Sequence, residues 1–223
     1  MLSLTETANL SVLYAQSHRH YHNIVHIQNC LSELEAYKKS ELKLEHTPVG
    51  LDCIEKAIWY HDAIYNPYSS ENEYNSAQLF LAEHGRTEET LWVAKTISTT
   101  AEHTRTLVGL LAVAQQQEST PWARIAAVVM DIDLASLGAP WDEFSENTRL
   151  IRKEYHRTSD SQFIAGRIAF MQTMLQRFKA TGVLYYTPHF KKRYEGQAIK
   201  NMENAIKRNE TRPHFGYLPR TFP

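Results

Sequence analysis

The chain has 223 residues, 43% of them apolar and 22% charged, with a net charge of −1. That length can bury one sizeable core and does not call for two ordinary domains. The near-zero balance excludes a broad electrostatic hold on nucleic acid or on an anionic membrane.

Helical periodicity runs through nearly the whole chain, and no segment alternates as a strand. Helices are expected at about 3–16, 22–39, 50–65, 71–84, 87–103, 106–117, 121–137, 141–157, 159–180 and 190–208. Thr47-Pro48-Val49-Gly50 and Asn66-Pro67-Tyr68 break the pattern. Pro121 suits a first helical turn, and Gly85, Gly138 and Gly182 stand where helix C-caps are expected. The fold class is all-α, a single domain over residues 1–210 followed by an irregular, proline- and aromatic-rich tail over 211–223.

The two cysteines, Cys30 and Cys53, make neither a disulfide framework nor a C-x-x-C pair, which fits a reducing cytoplasm. Cys30, one turn after His26, reads as a small buried residue. The first residues lack the basic start and long apolar run of a secretory signal, and stretches such as Leu107 to Ala114 are too short to span a bilayer. The expectation is a soluble cytoplasmic protein with no membrane partner. Association into a homo-oligomer is compatible with this composition.

Four polar residues interrupt the apolar helical stripes: His26, the adjacent His61-Asp62, and Asp133. Two imidazoles and two carboxylates make a full ligand set for one divalent cation, and a cation would offset the cost of placing them among apolar neighbours. His61 lies on the stripe of Leu51, Ile54 and Ile58, and Asp62 about 100° further round. His22 and His26 share a helical face if one helix spans both, so that one can ligate while the other faces a substrate. The run Ile125 to Met130 is apolar on every side and marks a buried helix. Asp131 and Asp133 follow it and point opposite ways. Asp133 continues the Ala126/Val129 stripe and is the preferred ligand, and Asp131 is expected to pair with a basic or aromatic side chain behind it.

These residues sit in a longer pattern: Arg19-His20-Tyr21-His22-Asn23-x-x-His26-Ile27, then Trp59-Tyr60-His61-Asp62-Ala63-Ile64-Tyr65. Asn72-Glu73-x-x-Ser76-Ala77, Ile97-x-x-Thr100-x-x-His103 and Asp131-x-Asp133-Leu134-x-x-Leu137-Gly138 follow. Arg152-x-Glu154-Tyr155 completes it, with a weaker echo at Gly166-Arg167. The pattern resembles the HD superfamily of metal-dependent phosphohydrolases, and within it the bacterial group of predicted metal-dependent HD-superfamily phosphohydrolases. The resemblance spans about residues 19–205 and implies an HD-type helical bundle with His26, His61, Asp62 and Asp133 as metal ligands. Tyr21-His22-Asn23-x-x-His26 is also similar to the motif of cyclic-nucleotide phosphodiesterases, which implies His22 as the acid that protonates a leaving group. The chain is shorter than a phosphodiesterase catalytic domain, so only the chemical role carries over.

A mixed nitrogen and oxygen ligand set suits Mn²⁺, Fe²⁺, Co²⁺, Ni²⁺ or Zn²⁺ better than Mg²⁺. The expected chemistry is hydrolysis by a metal-activated water bound at Asp62 and its co-ligands, with His22 donating a proton. One ion is expected; a second could be bridged by Asp62. His103 is open to three readings: phosphate binding, a water-bridged second metal, or plain packing. Arg19 and Arg152 are candidates to hold substrate phosphate. Glu73 either orients a ligand or metal-bound water or serves as a cap or ion pair. The leading function is a phosphohydrolase acting on a nucleotide or other small phosphoester. The alternative is a non-catalytic metal-bearing module that senses a nucleotide. Nucleic acid is a disfavoured partner, because no basic stretch interleaved with aromatics is present.

Overall fold

Local capping sets most of the helix ends. In the computed structural model, which describes residues 2–210, Ser3 closes a capping box with Glu6 at the start of α1 (Leu4–Tyr14). Asn23 caps α2 (Ile24–Lys38), and Thr47 followed by Pro48 opens α3 (Pro48–Tyr60). Then come α4 (Asn72–His84), α5 (Glu88–Thr99) and α6 (Val108–Ala114). Thr120 and Pro121 start α7 (Pro121–Asp133) in the same manner as α3. After α8 (Trp141–Glu154), Ser159 and Gln162 form the capping box of α9 (Asp160–Thr181). Gly182 ends α9 in the left-handed region at φ 71°, and α10 (Pro188–Glu210) follows. Two 3₁₀ turns, Thr100–Glu102 and Leu134–Gly138, extend α5 and α7. No strand occurs among the described residues, so the all-α class holds. The tail expected over 211–223 lies outside the described residues.

Helix α7 is the buried centre of the bundle, with every residue from Ile125 to Ile132 shielded from water. It packs on α2, α3 and α5, and α2 also packs on α3. Tyr14, Ile27, Tyr37, Ile54, Ile58, Tyr60, Phe80 and Ile97 fill the main core around it. A smaller apolar cluster on its other face gathers Leu110, Val113, Ala127, Met130 and Tyr186. The mutual packing of α2, α3 and α7 is what brings His26, the end of α3 and the end of α7 together. No helix among the described residues is long and apolar enough to cross a membrane.

Three local expectations are corrected. The helix expected to reach residue 65 stops at Tyr60, with His61 as its C-cap; beyond it the Asp62 and Ala63 carbonyls accept from a buried guanidinium, and the Ile64 and Asn66 amides donate to Ser76 and Asn72. The helix expected from residue 22 starts at Ile24, so His22 lies outside it and does not share a helical face with His26. Gly138 does not end a helix in the left-handed region. It is small because a Cβ there would lie 2.6 Å from Tyr194 Cβ and 2.7 Å from its carbonyl oxygen, so α10 can lie against this turn.

Candidate metal centre

His26 rises from the first turn of α2, His61 and Asp62 leave the end of α3, and Asp133 closes α7. Their donor atoms converge on one point. His26 Nε2 lies 3.3 Å from His61 Nε2, 3.8 Å from Asp62 Oδ2 and 3.2 Å from Asp133 Oδ1. His61 Nε2 lies 3.2 Å from Asp62 Oδ2 and 3.5 Å from Asp133 Oδ1. Ligands held about 2.1 Å from an ion stand about 3.0 Å apart at octahedral corners and about 3.4 Å apart at tetrahedral ones. Each carboxylate thus stands at about ligand spacing from both imidazoles, and His26 is shared by two candidate ligand groups, one with His61 and Asp62 and one with Cys30 and Asp133. His61 Nδ1 is 2.9 Å from the Ile58 carbonyl, to which it donates, leaving Nε2 as the nitrogen aimed at the cluster. Cys30 Sγ lies 3.7 Å from His26 Nε2 and within ligand range of His26 and Asp133, and burial together with Asp133 and Asp62 pushes its thiol pKa up.

The electrostatics point the same way. Burial acts to lower the His61 pKa, but Asp62 and Asp133 outweigh it and push the imidazole well above its ordinary value. Burial likewise acts against the charged Asp133, yet His61, His103 and His26 hold its carboxyl well below the usual range. Asp62 is lowered by His61 against the same burial. A buried carboxylate, Asp62, and a partly buried one, Asp133, thus demand a positive charge between them. A proton on His61 meets part of that demand, and a divalent cation suits the donor set.

The turn carrying His61 and Asp62 is held from behind by Arg19. Its guanidinium donates to the carbonyls of Asp62 (2.6 Å), Ala63 (2.8 Å) and His22 (3.1 Å), and its Nε to Gln16 Oε1 (3.0 Å). It also lies over the Tyr14 and Tyr65 rings. With its donors committed to the chain and only 5% of its surface exposed, Arg19 is a positioning residue and not the phosphate ligand its sequence context suggests. Arg152 is corrected likewise. It donates to Asp160 Oδ1 and to the carbonyls of Tyr155 and Thr158, fastening the turn from α8 to α9.

Asp131 accepts from the backbone N–H of Tyr186 (2.8 Å) and Thr187 (2.7 Å) just ahead of α10. Its hydrogen-bond partners are backbone amides, burial raises its pKa to about 7, and the basic side chain of Arg177 acts on its charge. His103 follows the 3₁₀ turn after α5, and its Nε2 lies 2.8 Å from Asp133 Oδ2. The two oxygens of Asp133 therefore face different partners, Oδ1 the cluster and Oδ2 His103. Glu73, at the start of α4, is half-buried within electrostatic reach of Asp62, His103 and Asp133, and burial raises its pKa.

Glu154 is the residue whose role the sequence reading leaves unassigned. It is fully buried at the end of α8. One oxygen accepts from three successive backbone amides, those of His20 (2.8 Å), Tyr21 (2.7 Å) and His22 (2.9 Å). The other accepts from Tyr65 Oη (2.8 Å) and faces His22 Nδ1 at 2.7 Å. Burial works against both charges of the pair. Nevertheless the contact lowers Glu154 to about 2 and raises His22 above the ordinary imidazole value. The His22 ring stacks on Tyr65 and sits 6.0 Å from the His26 ring, centroid to centroid. A signal was available: Glu154 lies three residues from Ile151 and ten from Phe144, on the inward stripe of α8. Neither any family model nor any curated protein matches this chain.

Proposed function

We propose that the chain is a metal-dependent phosphohydrolase of the HD type, acting on a nucleotide or another small phosphoester. The observation that carries the reading is a partly exposed imidazole, His22, fixed by a buried carboxylate one ring away from the cluster of His26, His61, Asp62 and Asp133. His26, His61, Asp62 and Asp133 would hold the ion. A divalent ion in such a set supplies Lewis acidity toward phosphoryl oxygens and lowers the pKa of water. Mn²⁺, Fe²⁺, Co²⁺, Ni²⁺ and Zn²⁺ fit two imidazoles better than Mg²⁺ does.

The other steps belong to the chain's own groups. Glu154 holds the Nδ1–H of His22, so Nε2 is the nitrogen left to give a proton to a leaving oxygen. The carboxylate also favours the imidazolium form and, against the pull of burial, raises the pKa of the ring. Arg19 keeps the His61-Asp62 turn in register with α2. The test is phosphate or nucleoside release from a panel of nucleotides and generic phosphoesters with Mn²⁺, Co²⁺, Ni²⁺ or Mg²⁺. Turnover is expected in the wild type and absent in Asp62→Ala. His22→Ala is expected to keep the metal and lose turnover. No turnover across the panel with metal bound would overturn the reading.

A further inference from the structure

Most inward-facing arginines of this molecule have visible employment. Arg19 and Arg177 donate to backbone carbonyls, Arg152 to carbonyls and Asp160, and Arg124 to Ser119 and Glu45. Arg167 is different. It lies on α9 four residues after buried Phe163 and four before buried Met171, on the stripe that faces the core. Its Nε is shielded from water and has no acceptor. Among the described residues no carboxylate or carbonyl meets its guanidinium, which has only the Phe170 ring of its own helix beside it.

The groups that act on the Arg167 charge are the phenols of Tyr21 and Tyr155, and burial lowers its pKa. Both tyrosines belong to the surroundings of the cluster. Tyr21 is edge-on to His22 at 4.9 Å, tilted against His26 at 5.1 Å, and bonded to Ser136 Oγ at 2.8 Å. Tyr155 follows Glu154 directly, and its hydroxyl makes no hydrogen bond among the described residues. The side chain is partly exposed, but its Nε is withdrawn from water without an acceptor, so removing the guanidinium should cost the fold little. One turn earlier on the same face of α9 the Phe163 ring lies 5.8 Å from the Tyr155 ring, and five N–H donors in a rigid fork suit an anion with several oxygens.

We propose that Arg167 is the anion-binding residue of this centre, its fork taking phosphoryl oxygens of a phosphoester whose phosphorus lies at the four-donor cluster. The inference rests on the phosphohydrolase reading for the identity of the anion. It does not rest on it for the presence of an anion site.

The experiment is equilibrium dialysis of inorganic phosphate with Mn²⁺-loaded protein, comparing wild type, Arg167→Met and Arg167→Lys, with bound Mn²⁺ and Tm recorded for each. Arg167→Met should bind phosphate at least about tenfold more weakly, the loss of a charge-assisted contact. Its Mn²⁺ content should be unchanged, and its Tm unchanged or higher. Arg167→Lys, which keeps the charge without the fork and guards against a variant that fails to fold, should fall between the two. Equal phosphate binding in wild type and Arg167→Met overturns the proposal, as does a wild type that binds none. A large drop in Tm with phosphate binding retained makes the cation structural and also overturns it. The readout needs no turnover. A protein that hydrolyses nothing yet loses phosphate in Arg167→Met sinks the hydrolase and keeps this site. Turnover whose KM ignores Arg167, with phosphate affinity also unmoved, does the reverse.

Discussion

Exchanging Glu154 for glutamine isolates the charge of one buried carboxylate. Glutamine keeps the shape and a carbonyl oxygen for the amides of His20, Tyr21 and His22, so the fold should persist. What it removes is the ionised state whose pKa falls from 4.5 to about 2 in the folded chain, together with the oxygen that accepts from Tyr65 and faces His22, a change of partner that does not vary between pH 3 and pH 6 as the charge does. At about 1.4 kcal/mol per unit, that depression contributes about 3 kcal/mol to stability. Because the folded pKa is lowered, the contribution is complete above pH 4.5 and drains away as pH falls toward 2. The His22 side of the same pair has the opposite sign: its pKa is raised, so its share is present below 6.5 and lost as pH rises through the raised value. Both describe one interaction, which is strongest between those limits. Urea unfolding of Glu154→Gln should therefore show a charge-dependent deficit of about 3 kcal/mol at pH 6 that shrinks to less than half at pH 3. In thermal melts the pH 6 deficit corresponds to roughly 6–12 °C for a chain of this size. A deficit equal at the two pH values would refute the argument, since it would place the energy in shape and not in charge.

Two further outcomes follow from the cluster and its support. Mn²⁺ at about a hundredfold excess over its dissociation constant should stabilise the wild type by about 2.7 kcal/mol. Asp133→Ala, read by metal content and melting temperature, should abolish that gain. Arg19→Met strands the carbonyls of His22, Asp62 and Ala63 in the interior. It should cost about 3–5 kcal/mol in urea unfolding and weaken Mn²⁺ binding measured by calorimetry, although Arg19 touches no ligand side chain.

Much of the helical architecture was legible because its determinants are local. Ser3, Thr47-Pro48, Thr120-Pro121, Ser159 and Gly182 act within a turn of the ends they set, and the apolar run before Asp131 marks the buried helix. The convergence of His26, His61, Asp62 and Asp133 was legible as a pattern of polar residues on apolar stripes. What escaped were partners supplied by distant backbone. Nothing near Arg19 announces that its acceptors are carbonyls of residues 62 and 63, and nothing near Arg152 distinguishes a turn fastener from a phosphate ligand. The same holds for Asp131, whose amide donors lie at residues 186 and 187. Glu154 carried a readable cue, an acid on an inward stripe, but its work on His20 to His22 depends on packing across more than 130 residues. The end of α3 was misplaced for a related reason: periodicity continues past Tyr60, and the backbone beyond it is bound by distant side chains, the Asp62 and Ala63 carbonyls by Arg19 and residues 64 and 66 by Ser76 and Asn72.

The grip of Arg19 on carbonyls has a consequence for how this centre can change. Every peptide unit presents the same oxygen whatever side chain it bears, so substitutions at positions 22, 62 and 63 leave the acceptors of that grip in place. Donor chemistry and backbone geometry are thereby separable. If the proposed metal is bound, exchanging Asp62 for histidine, glutamate or cysteine should shift the preference among metals while the turn keeps its path.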